Sequence, residues 1–196
     1  VSGRQIIPLF PLQTVLFPGG VLPLRIFEPR YLDMISDCLR HDTGIGVVLI
    51  RHGSEVGDVP EIHELGTLSH IHYWHRRSDG LLGVTLKGEQ RFRVRSTEVR
   101  ADGLIRADVE CLPPPDGATV NASHARLVDL LRQILGQLEP PWSTLTPSWE
   151  DAEWVSGRLA ELLPLELADK QALLAENDAR ARLDVIARQL AGLELE

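Results

Sequence analysis

Hydrophobic positions follow two different periods along the chain. As far as about residue 112, apolar residues come in short runs or alternate with polar ones, the two-residue period of strands whose successive side chains face opposite ways. Gln5–Leu9, Val21–Ile26, Gly46–Ile50, Leu65–Trp74, Leu81–Lys87, Arg91–Val99 and Leu104–Leu112 read as strands. Turn signals at Pro18-Gly19-Gly20, Ser78-Asp79-Gly80 and Asp102-Gly103 separate several of them. One helix interrupts the series at Pro29–Arg40. Pro29 suits a first helical position, and Tyr31, Met34, Ile35 and Leu39 recur at helical spacing to make one apolar face. Many short strands with a single helix predict an antiparallel, barrel-like sheet.

Beyond that point the period lengthens. His124–Leu138 carries Leu127, Leu131, Ile134 and Leu138 on one stripe, widened by Val128 and Leu135, which is the pattern of a core-facing helix. Ser148 followed by Asp151 reads as a capping box opening a helix through Leu163. Further helices are expected at Leu167–Glu176 and at Ala179–Leu193, the last capped by Asp178. Between the two regimes stands Pro113-Pro114-Pro115-Asp116-Gly117, which can neither extend a ladder nor start a helix early. The expected organisation is α+β, with a β domain over residues 1–113 and a bundle of about four helices over residues 114–196.

Charge sharpens this division. The chain has 196 residues and a formal net charge of −8. Residues 1–112 hold 13 Lys and Arg against 14 Asp and Glu, a net of −1, whereas residues 113–196 hold 7 against 14, a net of −7. This balance argues against a generic nucleic-acid binder, which needs a cationic footprint. With 43% hydrophobic residues and no apolar run approaching the ~18–20 residues that span a bilayer, a packed core without a membrane helix is expected. Val1 to Gln5 lack a signal-peptide profile, so the expected location is the cytoplasm. Cys38 and Cys111 show no CxxC spacing and read as buried free thiols.

Specific stretches carry a resemblance. Ile7-Pro8-Leu9-Phe10-Pro11-Leu12, Val15-Leu16-Phe17-Pro18-Gly19 and Leu22-Pro23-Leu24-Arg25-Ile26-Phe27-Glu28-Pro29-Arg30-Tyr31 follow one another as strand, proline-glycine turn, strand and proline-initiated helix. Gly46-Val47-Val48-Leu49-Ile50, Gly66-Thr67-Leu68-Ser69-His70-Ile71 and Gly88-Glu89-Gln90-Arg91-Phe92-Arg93-Val94 come next, then Leu163-Pro164-Leu165 and Lys170-Gln171-Ala172-Leu173-Leu174. In this order they resemble the LON domain, the N-terminal domain of ATP-dependent Lon proteases, especially its stand-alone bacterial versions. The resemblance implies a PUA-like pseudo-barrel followed by a helical bundle. It also implies a non-catalytic module that binds unfolded or extended polypeptide, or a protein partner, in protein quality control. No cofactor is implied. Neither Lys87 nor Lys170 follows a glycine as a phosphate-cradling lysine would, and a chain of this length is not expected to hold ATPase and protease modules as well.

Candidate chemistry is sparse. His70, His72 and His75, with His63 farther off, would share a strand face in part, but without a third ligand at fixed spacing the adopted reading is an exposed polar face, not a metal site. Arg91, Arg93 and Arg95 alternate with Phe92 and Val94, so three guanidinium groups are expected on one face; with Arg76 and Arg77 they form a candidate RNA- or anion-binding stripe. Cross-strand pairing with Asp108 and Glu110 explains the same stripe without a ligand. Trp142, Trp149 and Trp154 gather after Glu139-Pro140-Pro141; they either line a groove for extended polypeptide or staple the bundle to the barrel, and Phe17 is a further candidate contact. No GxSxG elbow or other nucleophile motif is present, so no enzymatic activity is expected. Self-association through sheet or helix surfaces stays open.

Overall fold

A computed structural model describes residues 3–115 and 117–193. The chain forms two compact units, the first ending at Pro114 and the second beginning at Pro115.

The first unit contains β1 (Arg4–Leu12), β2 (Val21–Ile26), α1 (Pro29–His41), β3 (Ile45–His52), β4 (Glu61–Arg76), β5 (Leu82–Val99) and β6 (Ile105–Cys111). The sheet order is β2-β5-β4-β3-β1-β6, and β6 pairs again with β5. The long β5 serves β2 near its start, β4 along most of its length and β6 near its end, so the sheet curls into a partial ring, not a clean barrel. It is mixed, not wholly antiparallel as expected. β1 and β3 run parallel, with Leu9 opposite Gly46 and Leu12 opposite Leu49. The intervening β2 and α1 supply the long crossover that parallel neighbours require.

This topology explains the unbroken apolar runs in β1 and β3. Phe10, Leu12, Ile45 and Val47 pack with Tyr31, Met34 and Ile35 of α1. Ile7, Leu9 and Val48 face the other way, onto Phe92, Ala107 and Val109. Strands buried on both faces need no polar alternation.

The two strands expected at Leu81–Lys87 and Arg91–Val99 are one strand of 18 residues. Gly88 sits between them without ending the ladder. The Phe17–Gly20 turn leans on the strand there: the Gly19 amide donates to the Gly88 carbonyl at 2.9 Å, and the Gly88 amide donates to the Gly20 carbonyl at 2.9 Å. A Cβ at Gly88 would stand 2.4 Å from the Phe17 carbonyl oxygen, so this backbone approach requires glycine.

In α1, Pro29 occupies the expected start and Glu28 is the N-cap residue. The Glu28 carbonyl accepts from the amides of Tyr31 and Leu32, while its carboxylate pairs with Arg30 at 3.0 Å and leaves the amides uncapped by side chains.

The second unit holds α2 (Ala125–Leu135), α3 (Ala152–Leu162), α4 (Leu167–Ala175) and α5 (Ala179–Leu193), with 3-10 turns at Ala122–His124 and Trp142–Thr144. Asp151, not Ser148, caps α3, its side chain accepting from the Glu153 amide at 2.9 Å. Asp178 caps α5 through the amides of Arg180 and Ala181. Val155 and Leu159 of α3, Leu131 of α2, Leu174 of α4, and Leu183 and Ile186 of α5 make the core. Within it lie two fully buried arginines, Arg158 and Arg182. Arg182 donates to the carbonyls of Leu173 and Glu176 at 2.9 and 2.8 Å and to the Ser156 hydroxyl at 3.0 Å, and pairs with Glu153 at 3.1 Å. It thereby serves backbone carbonyls near the end of α4 that have no helical partner. No helix among the described residues is long and apolar enough to cross a membrane.

Candidate functional site

β2 is the terminal strand of the sheet and, among the described residues, pairs along one side only, with β5. Beside it opens a groove of 260 Å³ lined by Phe10, Leu12, Leu24, Phe27, Tyr31 and Val56. Its floor is held in place. The Phe10 and Tyr31 rings meet at 4.3 Å, the Arg30 guanidinium lies 4.8 Å from the Tyr31 ring centre, and Arg30 is itself buried and donates to the Gly103 carbonyl at 3.2 Å. Burial pushes the Tyr31 hydroxyl up from its ordinary pKa, with Arg30 opposing and Glu28 and Glu55 adding to the rise, so the phenol is a neutral donor at physiological pH. Two apolar side chains on the rim face solvent: Phe27 is 47% exposed and Val56 54%. Glu28, Glu55 and Arg25 add charged groups to the lining, and Glu55 accepts from the Gln13 amide. Pro23 lies in β2, where a missing donor is tolerated on a terminal strand. The groove therefore suits capture of apolar side chains better than continuous backbone pairing.

The residues expected at a site are dispersed. Phe17 is fully buried in the core, so it offers no contact surface. This is a correction, and its reason is the close seating of its turn on Gly88. Arg91 also leaves its stripe: it is only 4% exposed, at a position opposite Thr67 of β4. Arg93 and Arg95 are exposed, and Arg95 donates through Nε to Glu110 at 2.7 Å, the cross-strand pairing that needs no ligand. Arg76 pairs with Leu82 at the start of β5, thirteen residues before Arg95. That is roughly 40 Å of strand, so the five arginines do not form one surface. Arg77 instead holds Asp79 within its own hairpin at 3.1 Å.

Trp149 and Trp154 meet edge to face at 5.3 Å, with Arg132 at 5.0 Å from the Trp149 ring and Arg158 at 6.0 Å from the Trp154 ring. The packing described for them lies inside the second unit, and both are half-buried, as is Trp142. Among the histidines, His70 Nδ1 lies 3.0 Å from Glu89, His75 stacks on Tyr73 at 5.4 Å, and the β4–β5 register shifts between Ile71 and Tyr73. Among the described residues no three His, Cys, Asp or Glu side chains gather to hold a metal ion. Sequence reasoning missed Phe27, and also Tyr73 and Trp74, which are 59% and 56% exposed near the end of β4. The Tyr73-Trp74 pair carried a signal, because neighbouring strand residues cannot both face one core.

A family model described as the ATP-dependent protease La (LON) substrate-binding domain matches residues 6–191. The chain belongs to that family. A solved structure titled Lon N-terminal domain protein from Xanthomonas campestris is 35% identical, with a TM-score of 0.75, covering 94% of this chain and 98% of that one. The N-terminal domain of a Mycobacterium avium complex Lon protease shares the fold at 16% identity and a TM-score of 0.61, over 93% of this chain and 96% of the other. Among full-length relatives, Lon protease from Koribacter versatilis is 31% identical over 97% of this chain and 24% of its own length. Lon protease 2 from Myxococcus xanthus is 29% identical over 95% of this chain and 23% of its own length. The LON-domain chain thus spans about a quarter of these proteases. Its fold is that of solved Lon N-terminal domains.

Proposed function

We propose that this LON-domain chain is a non-catalytic module that binds unfolded or extended polypeptide through the groove beside β2, in cytoplasmic protein quality control. One observation carries the reading: Phe27 and Val56 stand exposed over a floor that is already packed in position. Solvent-exposed apolar groups arranged around a preformed groove mark interaction surface, because their burial by a partner stabilises the complex without reorganising the site. The match to a domain named for substrate binding supports it. The dispersal of the arginines, with Arg91 buried and Arg95 paired, favours this reading over a continuous RNA-binding stripe.

The test is fluorescence anisotropy with a labelled, reduced and carboxymethylated polypeptide that cannot fold. Saturable binding without ATP is expected, and the double variant F27A/V56S should weaken it at least fivefold while leaving the thermal midpoint unchanged, because both side chains face solvent. Unaltered affinity in that variant would remove the groove from the reading, and absence of binding by the parent chain would remove the reading itself.

A further inference from the structure

A second cavity, of 280 Å³, opens elsewhere in the first unit, between the start of β1, the C-terminal turn of α1 and the β5–β6 turn. It shares no residue with the groove beside β2 and does not rest on the function proposed for that groove. Its chemistry is divided. Met34, Cys38 and Leu104 give it a buried apolar floor, and Ile6, 65% exposed, gives it an apolar lip. Arg100 and Arg106 line it as cations, with Asp37 and His41 also in the lining. Arg100 pairs with Asp102 at 3.3 Å, whereas Arg106 enters no ion pair among the described residues, although Glu98 stands opposite it in the ladder.

An aliphatic side chain left in water beside an apolar floor and an uncommitted guanidinium define complementary halves of one ligand. With Arg100 paired to Asp102 and Asp37 paired to Arg40 at 3.7 Å, Arg106 is the uncompensated charge of the lining, which matches a monoanion better than a phosphate dianion. The C-terminal end of α1 favours cations, so the carboxylate belongs away from it, on the arginine side of the cavity. The Cys38 carbonyl accepts from the Asp42 and Thr43 amides, and the Asp37 carbonyl is bonded to His41 Nδ1 at 2.9 Å, so these carbonyls are already engaged by the chain itself.

We infer that this cavity binds an apolar carboxylate, with the aliphatic group seated on Met34 and Leu104 and the carboxylate met by Arg106 and Arg100. At 280 Å³ the cavity lies just under the ~300–1,000 Å³ of pockets that hold drug-sized ligands, so it suits a small apolar acid. Such a group comes either as the C-terminal residue of a polypeptide or as a small free acid.

Titration of the ¹⁵N-labelled chain with N-acetyl-leucine, N-acetyl-leucinamide and a short peptide ending in a free leucine carboxylate tests this. The acid should give saturable amide shifts centred on Ile6, Cys38 and Arg106, and the uncharged amide should bind at least tenfold more weakly. R106Q should lose at least tenfold for the acid with an unchanged far-ultraviolet spectrum and melting curve, because Arg106 is exposed. A peptide that binds more tightly than N-acetyl-leucine identifies a polypeptide terminus as the source; equal affinities identify a free acid. Equal binding of acid and amide, shifts centred on Phe27 and Val56 instead, or no saturable shift at millimolar ligand would overturn the inference.

Discussion

Arg182 and Arg91 show how differently one residue type behaves in one chain. Each is followed by an apolar residue, Leu183 and Phe92, and both are buried. Nothing local distinguishes them from Arg93, which is exposed, because a guanidinium goes inside only where distant groups converge to bond it. For Arg182 those groups are Ser156 and Glu153 of α3, with Leu173 and Glu176 at the end of α4. R182A should therefore cost about 3 kcal/mol, since it strands the Glu153 carboxylate and two carbonyls together. Urea unfolding of the two proteins measures the difference, and a loss within the error of the fit would mean that water replaces the arginine at no cost. Phe17 makes the converse point: an aromatic at a proline-glycine turn looks like a contact residue, yet it fills the core.

Among the elements, α1 and α5 were legible nearly to the residue, and β2 was legible at both ends. Local chemistry sets those limits: Pro29 at a helix start, Asp178 as a cap, and turn residues before Val21. β5 was not legible, because Gly88-Glu89-Gln90 has the composition of a turn. Its continuity depends on Ser69, opposite Gly88 across the β4–β5 hairpin, and on the Phe17–Gly20 turn above, which lies far back in the sequence. G88A tests that dependence. The added methyl meets a backbone carbonyl, which cannot rotate away as a side chain would, and a loss of about 2 kcal/mol is expected by denaturant unfolding. Wild-type stability in G88A would show that the turn shifts freely. The α3 cap moved by three residues for a similar reason: Asp151 also pairs with Thr119 in an isolated bridge, which holds the backbone extended there.

For the whole molecule, the change of period and the triple proline suggest independent folding of residues 1–113 and 114–196. We propose that boundary as a true domain boundary. The apolar clusters of the sheet are made only from residues before it, and a unit of this size falls in the usual range of about 100–150 residues. A fragment ending at Pro114 should show a strand-type circular dichroism spectrum and one cooperative thermal transition. A broad, probe-dependent transition would show that the sheet needs the helices to hold its packing.

The sequence by itself determined the α+β class, the order of strands and helices apart from the continuity of β5, the acidic second half and the family, because periodicity, turn chemistry and ordered motifs are local properties of the chain. Tertiary structure alone decided the parallel β1–β3 pair, the burial of Phe17 and Arg91, the scattering of the arginines, and the two cavities with Phe27 and Arg106 at their edges. Each of these depends on which segments, far apart in sequence, come to lie side by side. A residue's own neighbours carry no record of that choice.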